Sequence, residues 1–185
     1  MVRPMATPAL ITAEELERLA PPNKSVELVR GRMIVREPPG TWHGKISNNL
    51  SFALTAFVRA RGLGTVFAQD TGFKIATDPD TVLGPDVSFV TTNRLGALPR
   101  RGFAAMAPDL VAEVLSPDDR PAEVLAKVAE WLRAGCRLVW VVDPRRMEVR
   151  AYRPDGSVSV VPENGELSGE DVLPEFSCSV QEILS

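Results

Sequence analysis

The chain has 185 residues, 44% of them hydrophobic, which is enough material for one compact domain with a sizeable core. No run approaches the roughly 18 uninterrupted apolar residues of a membrane span, and Met1 to Thr12 lacks the basic start and long apolar core of a signal peptide, so a soluble cytoplasmic protein without membrane contact is expected. A formal charge of −3 is not that of an ordinary basic nucleic-acid-binding domain, and two cysteines, Cys136 and Cys178, both beside apolar neighbours, point to free thiols rather than a disulfide framework or a zinc site.

Thr12 to Ala20 opens with Thr12 and Glu15 in capping-box spacing and carries Leu16 and Leu19, which predicts a short helix stopped by Pro21 and Pro22. Ser25 to Arg30 and Arg32 to Arg36 predict two strands joined at Arg30-Gly31, with Glu27 on the first. Thr41 to Arg61 carries Ile46, Leu50, Leu54, Phe57 and Val58 at helical spacing and ends at Gly62 and Gly64. Strands follow over Thr65 to Ala68, Gly72 to Ile75 and Asp86 to Val90, with Asp78-Pro79-Asp80 as a turn between the last two. From Thr91 to Ala107 no period is visible, and a loop of that length predicts a substrate flap, with Arg94, Arg100 and Arg101 as its contacts to phosphate. The strand Leu110 to Leu115, the helix Pro121 to Ala134 and the strand Arg137 to Val142 make a β-α-β unit. A hairpin over Met147 to Tyr152 and Ser157 to Val161, and a last helical turn at Ser179 to Leu184, complete the chain.

Two acids stand inside greasy strands: Asp86 in Pro85-Asp86-Val87-Ser88-Phe89-Val90, and Glu113 in Leu110-Val111-Ala112-Glu113-Val114-Leu115. An ionised carboxylate among Val, Leu and Phe is costly without a compensating cation. Two strands aiming one carboxylate each at a common point would form a hard-oxygen site for Mg²⁺ or Mn²⁺, the chemistry of phosphodiester hydrolysis. Asp86 also reads as a strand-entry residue after Pro85, and Glu113 as a satisfied core glutamate. Asp109 lies about 13 Å from Glu113 along an extended strand, too far to share an ion with it, and reads as the strand start.

The arrangement resembles the PD-(D/E)XK nuclease superfamily, with one departure: the position two residues after Glu113, where that pattern has Lys, is Leu115. The ordered set Glu27-Leu28-Val29-Arg30-Gly31, His43, Gly84-Pro85-Asp86-Val87, Pro108 to Pro117, Lys127 to Gly135 and Val139 to Pro144 resembles the Uma-type restriction endonuclease family, in which the lysine sits on the helix. The likeness runs from about residue 15 to 152. It implies an α/β (α+β) single domain, a mixed, bent sheet flanked by helices, and metal-dependent cleavage of DNA. Asp86 and Glu113 would hold the metal, Lys127 would serve as the catalytic cation and Glu27 as a third acid.

Read by themselves, Lys127 fits a helix-surface ion pair with Glu123 or Glu130, and Glu27 an exposed strand acid paired with Arg30 or Arg32. His43 at a helix start suits capping or packing as well as a substrate phosphate; Trp42 suits a helix staple as well as substrate contact; Trp131 and Trp140 suit the core. Only four of the 21 basic residues are lysines. The expected activity is that of an endonuclease on DNA, with a homodimer as the assembly that cutting two strands would need. A catalytically silent module binding nucleic acid or a protein is the alternative.

Overall fold

A computed structural model describes residues 9–185; most of the Met1 to Thr12 segment considered above lies outside them. Helix α1, Ala13–Leu19, is held by a complete capping box: the Thr12 hydroxyl accepts from the Glu15 amide, and the Glu15 carboxylate accepts from the Thr12 amide at 2.9 Å. Ala13 and Leu16 pack on Leu28 and Val82, whereas Leu19 is exposed, so the buried stripe is shorter than the sequence pattern suggests.

Strands β1 (Ser25–Val29) and β2 (Arg32–Arg36) form the expected hairpin, and Arg30 and Gly31 both take positive φ, 50° and 74°, as a tight two-residue turn requires. The long helix α2, Thr41–Arg61, follows and ends at Gly62 in the left-handed conformation. After it come β3 (Gly64–Phe67), β4 (Phe73–Ala76), β5 (Thr81–Leu83) and β6 (Val87–Thr91). Strand β5 is three residues long, too short for alternation to announce it, yet it joins the hairpin to β4 in a separate four-stranded antiparallel sheet ordered β2-β1-β5-β4.

The remaining core strands are β7 (Leu110–Val114), β8 (Leu138–Asp143), β9 (Glu148–Tyr152) and β10 (Val158–Pro162), with α3, Pro121–Arg133, between β7 and β8. They build a mixed six-stranded sheet ordered β10-β9-β8-β7-β6-β3, in which β7 and β8 are parallel and the other neighbours antiparallel. A hairpin of β11 (Glu166–Ser168) and β12 (Ser177–Ser179), which the sequence pattern did not announce, leads into α4, Val180–Leu184.

Alternation along β7 distributes its side chains between two cores. Leu110, Ala112 and Val114 face Ile46, Leu50 and Leu54 of α2, together with Leu173, Phe176 and Ile183 from the C-terminal segment. Val111 faces the opposite way, with Val128 and Trp131 of α3, Phe73 and Leu83. Glu113 shares the parity of Val111, so the strand geometry itself sends its carboxylate toward α3.

The Thr91 to Ala107 connection is not a free flap. It holds a 3-10 helix over Thr92–Ala97, and Ala104 bridges to Phe73 while its carbonyl accepts from the Lys74 amide at 2.8 Å. Both cysteines are free, and burial pushes each thiol up to about 12. Among the described residues no helix is long and apolar enough to cross a membrane.

Candidate active site

Two carboxylates, Glu27 and Glu113, meet one ammonium where the two sheets adjoin, and a third, Asp86, lines the same cleft. Glu113, in β7 and 9% exposed, accepts from Lys127 Nζ at 2.9 Å on Oε2 and from the Trp131 indole N–H at 2.8 Å on Oε1. Lys127 and Trp131 are four residues apart on α3, so they present adjacent donors to the same strand. Lys127 Nζ also lies 2.8 Å from Glu27 Oε1 on β1 and 3.4 Å from the Gly84 carbonyl. The surface alternative for Lys127 does not form: Glu130 binds Arg30 and Arg133, and Glu123 pairs with Arg120. Nor does Glu27 pair with Arg30 or Arg32; besides Lys127 it accepts from the Gly84 amide at 3.2 Å, with Arg36 at 3.9 Å.

Asp86 stands one residue before β6, beside the C-terminal half of β7. Its Oδ2 accepts from the Val114 amide at 2.7 Å and lies 3.2 Å from His43 Nε2, while Oδ1 has no hydrogen-bond partner among the described residues. His43 is buried in the first turn of α2, with the Ser47 hydroxyl 3.4 Å from Nδ1. It therefore contacts an acid of the site rather than facing outward to a phosphate.

The electrostatics follow from this crowding. Burial pushes Glu113 up to about 7; Lys127 opposes the shift, and Asp86 and Glu27 add to it. For Lys127, burial favours the neutral amine, but Glu113 and Glu27 outweigh it and hold the ammonium above its usual range. Without a bound metal, Lys127 is therefore held as a cation between the two carboxylates. In His43 burial works against the charged form, yet the hydrogen bond and charge of Asp86 raise its pKa overall.

Glu27, His43, Asp86, Glu113 and Lys127 line a cleft of about 430 Å³, together with Glu37, Asp70, Asp118, Asp119 and Glu123; among the described residues Arg36 and Lys127 are its only Lys or Arg residues. Among the described residues no three His, Cys, Asp or Glu side chains stand ready-grouped around a common metal position, because Lys127 fills the space between Glu27 and Glu113. The donor chemistry nonetheless suits a hard divalent cation: oxygen donors only, more negative charge than one ammonium offsets, and a free Oδ1 on Asp86.

The loop arginines are elsewhere. Arg94 donates to Asp109 at 2.8 Å and to the Ala107 carbonyl at 2.7 Å, tying the loop to the start of β7; Arg100 and Arg101 are exposed and outside the cleft. Sequence reasoning missed Trp131 as a ligand of Glu113 and Ser47 as the partner of His43. The i, i+4 spacings Lys127/Trp131 and His43/Ser47 were the available signals.

Residues 13–181 match the family model described as Uma2, putative restriction endonuclease. A solved structure with the same fold, the crystal structure of a putative nuclease belonging to DUF820 from Anabaena variabilis ATCC 29413, has a TM-score of 0.80 and 22% sequence identity, over 94% of this chain and 97% of that one. No curated protein matches the chain.

Proposed function

We propose, from the premise that the chain belongs to the Uma2 family of putative restriction endonucleases, that it is a metal-dependent endonuclease whose substrate is DNA. The observation that carries this reading is the Lys127 ammonium held 2.9 Å from Glu113 and 2.8 Å from Glu27, in one cleft with Asp86. The helix lysine supplies the cation that Leu115 cannot.

Asp86 and Glu113 would hold Mg²⁺ or Mn²⁺, which when bound supplies Lewis-acid polarisation of the phosphate and lowers the pKa of water. Each of the chain's own groups then has a role. Lys127, fixed by Glu27, orients the attacking water and offsets the charge that develops on the phosphorane-like transition state. Trp131 holds one oxygen of Glu113, and His43 with the Val114 amide holds one oxygen of Asp86, so that the opposite oxygen of Asp86 faces the cleft. Were the substrate a duplex, cleavage of both strands would need two such sites, which a homodimer would supply.

A second reading has an observation behind it. Glu27 and Glu113 already form internal ion pairs with Lys127, as a silent module of the same fold would have. One experiment separates the two: incubation with DNA and RNA in Mg²⁺ or Mn²⁺, with Asp86→Ala as control. Cleavage that disappears in the variant supports the endonuclease; absence of cleavage by the wild-type protein under both metals leaves the silent module.

A further inference from the structure

The cleft is lined by eight acids against two Lys or Arg residues and the loop arginines stand outside it, which points to another surface for holding the nucleic acid. Helix α2, the longest helix, is unusual in composition for its length. Its 21 residues include no Asp or Glu, in a protein with 24 of them, and they include Lys45, Arg59 and Arg61. None of these three has a carboxylate partner within ion-pair distance among the described residues, whereas most other cations, Arg36, Lys74, Arg94 and Lys127 among them, are paired.

The solvent side of α2 is equally unusual. Trp42, Lys45, Asn48, Phe52, Ala56 and Arg59 recur every three or four residues and are all exposed, opposite the buried stripe of Ile46, Leu50, Leu54 and Val58. Trp42 is 54% and Phe52 74% exposed, and neither belongs to a core cluster, which removes the staple explanation for Trp42. Lys45 Nζ lies 4.7 Å from the centroid of the Trp42 ring, so a stacking surface and a cation are already assembled together. Asn49 is engaged with the carbonyls of Ile183 and Ser185, and one acid, Glu182, lies beside Phe52; the cationic contacts thus fall to Lys45 and Arg59. The stripe begins at the cleft, since Gly40 and His43 line it, and the two rings are about 15 Å apart at 1.5 Å per residue.

We propose that the exposed face of α2 is a binding track for single-stranded DNA, on which unpaired bases stack on Trp42 and Phe52 while Lys45 and Arg59 contact the phosphates. The proposal rests on the endonuclease reading and deepens it by naming the substrate form. Exposed rings can stack only on bases that are unpaired or splayed out, so paired DNA gains nothing from them. Cations without acid partners give up no ion pair when a phosphate arrives.

The test measures binding and cutting separately. Fluorescence anisotropy with Mg²⁺ compares a labelled phosphorothioate-linked oligodeoxynucleotide with a duplex of the same length and sequence. The single strand should bind at least about tenfold more tightly, and Trp42→Ala should lose about tenfold or more, with Trp42→Phe restoring most of it. Lys45→Gln with Arg59→Gln should reduce the slope of log affinity against log salt by about 1.4. Trp131 and Trp140 are fully buried, so binding should also quench the emission of Trp42 specifically. Unchanged affinity in Trp42→Ala/Phe52→Ala, confirmed as folded by thermal melting, overturns the track and assigns the rings to some other partner. Cleavage of the unmodified strand is scored alongside: cutting that is indifferent to Trp42 leaves the endonuclease and removes the track, while Trp42-dependent binding without cutting in Mg²⁺ or Mn²⁺ keeps the track and removes the endonuclease.

Discussion

Replacing Lys127 with methionine removes the ammonium from between Glu27 and Glu113 while keeping the length of the side chain. Breaking a buried ion pair by deleting one partner costs about 3 to 5 kcal/mol, and Lys127 is 22% exposed, so about 3 kcal/mol is expected at pH 8.5 without metal. The cost should depend on pH. Glu113 already has a folded pKa of about 7, above its ordinary value of 4.5, so its contribution favours folding below pH 4.5 and is lost as pH rises through 7. Lys127 restrains that shift, and in Lys127→Met the Glu113 carboxyl moves further up, extending the loss of stability beyond pH 7. Between pH 5.5 and pH 8.5 the variant should therefore lose more stability than the wild type does. Urea denaturation in EDTA at both values measures this. Equal differences at the two pH values, below about 1 kcal/mol, would mean that Lys127 is an ordinary surface lysine and would refute the charge argument. Cleavage in Mg²⁺ should fall by about 10²-fold or more with metal affinity nearly unchanged, and Lys127→Arg should restore little, because a planar guanidinium does not fit a point-charge position between two carboxylates.

Glu113→Ala should weaken Mg²⁺ or Mn²⁺ binding sharply in a calorimetric titration, and equal affinity in variant and wild type would remove Glu113 from the metal site. His43→Ala should lower metal affinity by about tenfold, with His43→Gln recovering part of it by donating to Asp86 again; equal losses in both would indicate packing alone. Asp109→Ala leaves Arg94 and the Thr91 amide without their acceptor and should cost about 2 to 4 kcal/mol in denaturant, while leaving the cutting rate per folded molecule unchanged. Gly31→Ala should destabilise by about 1 to 2 kcal/mol in thermal melts, since φ is 74° and a Cβ would meet that of Leu10 at 2.8 Å.

What could be read in the sequence follows the range over which each interaction acts. Helix α2 and the β-α-β unit show through because their apolar periods are long and their ends carry Gly or Pro. Asp86 and Glu113 stand out because a lone acid in an apolar strand is anomalous wherever the strand ends up. Strand β5 and the β11–β12 hairpin stay hidden because three residues carry no period. Arg94 shows the converse limit: it looks as available as Arg100 and Arg101 in an unpatterned segment, but it is claimed by Asp109, a pairing set by tertiary approach and invisible in the spacing. The indole contact of Trp131 shows only through its i, i+4 spacing to Lys127, since its ring belongs in the core as expected and only its N–H reaches Glu113.

The cation of this site is carried by a helix and not by the strand that carries its acid, and Glu27 comes from a different sheet again. No single local unit contains the working set, so on the proposed reading a half-made or partly opened chain has acids without their ammonium and cannot cut. On that reading, seating of α3 through Val128 and Trp131 would act as an interlock that confines the activity to the finished molecule. The same wiring means that heat should silence the enzyme by unseating one helix before the sheets themselves come apart.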